Sequence, residues 1–315
     1  PSSLATGDRS ANRGRNWRLH TNLCLSHPIL RAKLYFSLNH ADADANIALG
    51  NGVLSTVSAQ ALHSCIGIGH NALNGVNHAN ALGTVGIGRD ALGQLTNGDG
   101  NTAIGYEAAK TVQGGEHNTI VGYEALEDGD VSHMTMFGYR AGQSINSADA
   151  KGSVGIGVRA LTSITSGQGN VAIGSGSLSA EDDGDFNTAI GTQALAVQTG
   201  TSGTVGNTAV GYHAGYSITT GNTNQLFGRS AGVALTTASG STFIGNEAGG
   251  TVTTGNHNIG IGHDAMNGGT TTGDHNIAIG TKTGDALTSG NENIFIGTDA
   301  GGTTTAGTHI VAIGR

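Results

Sequence analysis

A five-residue motif ending in glycine recurs through most of the chain, and no other feature limits the fold as much. Asn-Thr-Ala-Ile-Gly stands at 101–105 and again at 187–191. Its variants close on Gly50, Gly69, Gly88, Gly105, Gly122, Gly138, Gly157, Gly174, Gly191, Gly211, Gly228, Gly245, Gly262, Gly280, Gly297 and Gly314. These sixteen anchors leave fifteen spacings, and nine of them span seventeen positions, as from Gly88 to Gly105 and from Gly105 to Gly122. Self-similarity at a fixed period marks a repeat array, so dividing length by a typical domain size does not apply.

Every place in the repeat has its own chemistry. The residue before the anchor is large and apolar in all sixteen copies, from Leu49 to Ile313. Three before it stand Val, Ile or Thr, with Gln225 the one exception. Two before it the residue is usually Ala or Gly. This period-2 alternation predicts a strand. Four before the anchor, ten of sixteen are Asn. Three after it, twelve of fifteen are Ala. A coil of seventeen has room for two short strands and two turns and none for a helix. Like positions then stack in register, and the fold class follows: all-β, a parallel β-solenoid or β-roll of about sixteen coils.

Several expectations come with that fold. The anchor glycine fits a corner needing positive φ or close backbone approach. Stacked Asn side chains can bond to one another along the axis as an amide ladder. At ~4.8 Å per stacked strand the array is roughly 70 Å long. The buried set expected per coil is the residue before the anchor, the β-branched residue three before it, the Ala, and in places a Leu. Such a core is thin, so the small-residue face is expected to be covered by oligomerisation, with a parallel trimer best suited to a fibre. Four after the anchor, Leu prevails before residue 200 and Gly after it. That shift is read as a change in the rod's cross-section.

Composition narrows the alternatives. The 55 glycines lack the every-third spacing of collagen, and there are only 2 prolines. Charged residues are 11% and aromatics 4% of the chain, which fits neither a solvated disordered tail nor a conventional mixed core. A net charge of −8 disfavours a nucleic-acid surface. No apolar run is long enough for a membrane-spanning helix. Two cysteines, Cys24 and Cys65, form no metal motif and no disulfide framework. The charge is uneven: residues 1–45 carry six basic and three acidic groups, and 46–315 eight and nineteen. Two units follow, a basic N-terminal leader or attachment segment at 1–45 and the repetitive shaft at 46–315.

The Asn-Thr-Ala-Ile-Gly copies at 101–105 and 187–191, and their relatives throughout, resemble the head repeats of YadA-like trimeric autotransporter adhesins. They are still more similar to repeats in phage tail fibres. The resemblance covers 46–315, the whole repetitive part of the chain. It implies a left-handed β-roll, three chains side by side, acting as a shaft or receptor-binding region.

Several candidate sites stand out against this background. Gly-x-Gly-x-x-Ala occurs at Gly67-Gly69-Ala72, Gly86-Gly88-Ala91, Gly155-Gly157-Ala160 and Gly260-Gly262-Ala265. A dinucleotide fingerprint needs a following helix, so these read as repeat corners, and no cofactor is expected. His117, His133, His257, His275 and His309 all stand five before an anchor. Stacked surface imidazoles at a turn are the plain reading. A metal would need that corner to face a trimer axis. Asp90, Glu107 and Glu124 follow their anchors by two in consecutive coils, with Arg140 and Arg159 next in the row. Like charges stacked along a sheet repel. They are relieved by splaying into solvent, by Arg140, or by a cation such as Ca²⁺. Tyr106, Tyr123 and Tyr139 form a stripe that suits ladder packing or contact with carbohydrate or protein.

No nucleophile, zinc or paired-carboxylate signature stands out, so no enzyme is expected. The sequence therefore reads as a structural and adhesive fibre protein, foremost a phage tail fibre. It would lie on a virion or cell surface, be joined to its particle through 1–45, and touch a host receptor or polysaccharide. A bacterial adhesin head is the first alternative. Thr270–Thr272 and Thr303–Thr305 prompt a second, an ice-binding solenoid. A solenoid polysaccharide lyase is a third.

Overall fold

The computed structural model describes residues 46–55, 63–76, 81–145, 147, 149–200 and 203–315. The basic leader 1–45, read as an attachment segment, lies outside the described residues. The described residues hold no helix. Eighteen strands run from β1 (Ile47–Leu49) to β18 (Val311–Ile313). Sixteen of them, each three residues long, form one parallel sheet in strict chain order. Register runs motif on motif: β4 (Thr102–Ile104) and β5 (Thr119–Val121) pair as Thr102↔Thr119, Ala103↔Ile120 and Ile104↔Val121. The parallel solenoid expected from the repeat is the fold observed.

The coil differs from expectation in having one strand, not two. Its return path is built of turns, because three places per coil adopt left-handed backbone. They are the second and fourth residues after the anchor and the fifth before it, as in Glu107 (φ 53), Ala109 (φ 52) and His117 (φ 57). A strand needs extended φ throughout, so this path cannot be one. Its backbone groups bond along the axis instead. Glu107 N–H donates to Arg89 O at 2.8 Å, and Leu73 N–H to Ala91 O at 3.0 Å. Among the described residues only β9 (Gly184–Asp185) and β11 (Gly203–Thr204) pair as a second small sheet.

Anchor glycines behave as the repeat predicts. All sixteen have φ between 122° and 148°, a region closed to residues with a Cβ. A Cβ on Gly105 would run into the carbonyl oxygen of Gly122 in the next coil, and the other inner anchors are placed alike.

The inward face of the strand is the reverse of the one expected. In fifteen of sixteen motif strands the middle residue, Ala or Gly in most copies, is buried. The large residues on either side of it are half-buried or exposed. The far wall explains this. It supplies the Ala after the anchor, the Leu beside it, and an aliphatic residue seven past the anchor, such as Leu95, Val112, Ile145 or Ile164, all buried. That wall already fills a coil this narrow, so the strand turns its small residue inward. The small-residue face is thus the rod's own core and not a surface awaiting partners.

In many coils the Leu-to-Gly shift accompanies a volume exchange between the two walls, with Ile120 and Leu126, and Ala209 and Gly215, as exceptions. Where the strand presents Gly67 or Gly86, the far wall presents Leu73 or Leu92. Where it presents Met136, Leu226, Phe243 or Phe295, the far wall presents Gly142, Gly232, Gly249 or Gly301. A Cβ on Gly142 would lie 2.8 Å from Met136 Sδ. In such coils the slot is filled from whichever wall carries the large group.

Candidate functional surfaces

The turn five before the anchor carries the histidines. His117 and His133 stack with ring centroids 5.4 Å apart and planes 25° from parallel. His257 and His275 lie 5.0 Å apart at 32°. The ring of His117 leans over Gly100 and that of His257 over Gly240, in the coil before each. Stacked rings set their nitrogens side by side along the rod and do not converge on one point. His309 pairs with Glu292 (Nε2 to Oε2, 2.7 Å). His117 lies 3.9 Å from both Asp99 and Glu116, and one ligand atom from each of the three fits within 4.8 Å. His117 and Glu116 are well exposed, and Asp99 is half-buried.

The acidic row is neutralised by its own neighbours. Arg89 Nε lies 3.0 Å from Asp90, which also accepts from Asn71 Nδ2 at 3.0 Å. Lys110 reaches Glu107 at 2.9 Å and holds its carboxyl below the usual range. Arg140 Nε donates to the mostly buried Glu124 at 2.7 Å, and Gln143 donates to Glu127 at 2.9 Å. Glu107, Glu124 and Glu127 group closely enough to hold a cation, and Lys110, Arg140 and Gln143 already bond to one oxygen of each.

Over this row lies the tyrosine stripe. Tyr106 and Tyr123 stack at 4.9 Å and 10°, and Tyr123 and Tyr139 at 5.6 Å and 22°. Arg89 lies over the Tyr106 ring at 5.8 Å, and Arg140 over the Tyr139 ring at 5.0 Å. Hydrogen bonds to Glu107 and Glu124 push the Tyr106 and Tyr123 phenols up. Both faces of Tyr123 are engaged by neighbouring rings, and Tyr106 and Tyr139 each meet one ring and one guanidinium. A sugar ring stacking on the stripe would need a free face. Tyr123 offers only its edge and hydroxyl.

The Asn ladder is present and buried. Asn118 donates from both N–H and Nδ2 to Asn101 Oδ1, at 3.0 and 2.9 Å, and from Nδ2 to Val131 O at 2.7 Å. Nine of the ten Asn are almost fully shielded. Ser153 and Ser241 take the same role, accepting from the backbone of the next Asn.

Two features escaped the sequence reading. The first is the outer face of the sheet. The residues one and three before each anchor give thirty-two side chains, none of them charged. Phe137 is 55% exposed, and Ile104, Ile156, Ile190, Phe227, Ile244, Ile279 and Ile296 between 37% and 40%. The alternation was plain in the sequence, but the sense of the alternation was not. The second is a pair of polar residues where the aliphatic row should continue. Glu181 and Gln198 stand seven past their anchors and are both fully buried.

The threonine triplets make no regular face. Thr271 is buried and bonds to Leu287 O at 2.8 Å between exposed neighbours. No described helix is long and apolar enough to cross a membrane. Compared with protein-family models, curated proteins and solved structures, the chain matches none.

Proposed function

We propose that this chain is a structural and adhesive shaft that assembles with two further copies of itself, in the manner of a phage tail fibre. The observation that carries this reading is the uncharged outer face of the sheet. At ~4.8 Å per strand it is roughly 70 Å long, far beyond the scattered apolar residues of ordinary surfaces. With a width of about 7–10 Å it offers roughly 500–700 Å² per copy, close to the ~800 Å² each partner contributes to a stable interface. Two flat rows of β-branched and aliphatic side chains pack well against like rows, and an uncharged face has no desolvation of ions to offset.

A bundle of three would cover these faces and leave the His, Tyr and acidic turns outside. Three identical sets of outward turns would then meet a receptor or polysaccharide on a host surface together. Contacts that are individually weak gain from such multivalency. The action is mechanical presentation on a virion or cell surface, with no reaction catalysed. Negative-stain imaging of the full chain tests the shape. Rods of the length set by the stacked strands, roughly 70 Å, and several coils thick support the reading. Thin single-coil filaments or globular particles would sink it.

A further inference from the structure

The row of residues seven past the anchor is the spine of the far wall. It is aliphatic at Val76, Leu95, Val112, Ile145 and Ile164, and again at Ile218, Leu235 and Val252, all fully buried. Gly129, in the coil between Val112 and Ile145, brings no side chain to it. Between Ile164 and Ile218 polar side chains interrupt the row twice in succession, at Glu181 and Gln198. Both are shielded from solvent as completely as the aliphatics they replace. The interruption coincides with the longest coil, from Gly191 to Gly211, and with the small second sheet of β9 and β11.

The Glu181 carboxyl is held by donors only. Gly184 N–H and Asp182 N–H reach Oε1 at 2.8 and 3.1 Å, and Gln198 Nε2 donates to Oε2. Gln198 in turn accepts from Asn207 Nδ2 at 2.9 Å, which ties the carboxyl to the Asn ladder. The charged groups around Glu181 are Asp182 and Asp183 of its own turn, with Asp185 beyond them, all acidic. From the next coil Gln198 and Gly200 pack against it, both neutral. The preceding coil meets this turn through the backbone N–H groups of Thr165 and Ser166, which bond to Asp182 O. No cation is within this set.

A buried carboxylate without a cation is costly, and uptake of a proton removes that cost. We propose that the coils around Glu181 and Gln198 form a proton-responsive joint in the rod, closed most firmly in acid and loosened as the pH rises. Burial pushes the Glu181 carboxyl above its ordinary value of 4.5, against the pull of its three donors. A group whose proton is held more tightly in the closed stack adds stability that is fully present below its ordinary range. That stability is lost as pH rises through the raised value. Opening would begin where Glu181 leaves Gln198 and would pass to Asn207 and the ladder.

Hydrogen exchange of the full chain, read by mass spectrometry at pH 5.0 and 7.5 and corrected for intrinsic rates, tests this. Each pH unit over which the closed stack holds the proton more tightly reads as a tenfold change in opening. We expect peptides within 171–211 to open at least about tenfold more at pH 7.5 than at pH 5.0, and peptides within 224–262 to change little. Glu181→Gln should abolish the difference, and Glu181→Leu, which restores the aliphatic row, should do so if the amide variant folds poorly. Asp183→Asn should leave most of it. Equal opening at both pH values overturns the proposal. So does a pH difference that survives in both Glu181 variants, or one spread evenly along the rod.

Discussion

Phe243 fills the space that Gly249 leaves. The ring is fully buried, and a Cβ on Gly249 would collide with its Cγ, Cδ1 and Cδ2. Beside Gly86 the same slot is filled from the other wall, where an added Cβ would lie 2.9 Å from Leu73 Cγ. Phe243→Ala should therefore cost about 3–5 kcal/mol. Gly249→Leu alone should cost about 1–3 kcal/mol by overpacking. Left-handed backbone is no bar, since Leu73 and Leu92 hold φ of 54° and 50° at the same place. The double variant should recover part of the loss, with a coupling of at least about 1 kcal/mol in a denaturant double-mutant cycle. Simple additivity would show that the walls do not share the slot.

Two glycines two residues apart should respond very differently to alanine. Gly174 has φ 134°, and a Cβ on it would strike the backbone of Gly191. Gly176 has φ 65°, with only Gln193 Cγ at 3.5 Å from the added carbon. Gly174→Ala should cost about 3 kcal/mol or more, since both strain and backbone collision oppose it. Gly176→Ala should cost about 1 kcal/mol, the penalty of left-handed backbone for a non-glycine residue. Thermal unfolding of both variants checks the order.

Asn224 donates from Nδ2 to Asn207 Oδ1 at 3.1 Å and to Ala238 O at 2.8 Å, and accepts from Ser241 N–H at 3.0 Å. Asn224→Ala strands these buried partners, and each stranded group costs about 1–3 kcal/mol. Asn224→Ser should be milder, because serine at 153 and 241 already accepts the next coil's N–H. If the two substitutions destabilise the rod equally in a denaturant titration, the ladder does not act through its hydrogen bonds.

The ion pair between Arg140 and Glu124 closes the acidic row. Arg140→Ala leaves the mostly buried Glu124 beside Glu107 and Glu127 without its own cation. The variant should melt below the parent at pH 7. Arg140→Met, which keeps much of the bulk without the charge, should melt as low. Parent-like thermal melts for the methionine variant would place the role of Arg140 in packing.

How much of this was legible in the sequence divides along physical lines. Period, strand position and anchor geometry were legible because each is a local backbone demand repeated many times, as Gly105 and Gly122 illustrate. The amide ladder was legible because identical Asn residues recur at one place in the coil. The inward face of the strand was not. Alternation at Thr102, Ala103 and Ile104 defines two faces, but only the volume of the opposite wall decides which one turns in. The turn-built return path was hidden for a related reason: Leu, Glu and Ala are unusual in left-handed backbone, and here stacking between coils imposes it. Glu181 and Gln198 were hidden because the aliphatic row they interrupt emerges only once the far wall is in place.

The assembly face is the centre of the account, and sedimentation equilibrium of the full chain tests it most directly. The mass should correspond to three chains. Lysines placed on the outer row, at Ile156, Ile190 and Ile244 together, should reduce the mass to that of one chain without loss of β signal in circular dichroism. A single-chain mass for the unaltered protein, or a three-chain mass that survives the lysines, would contradict it.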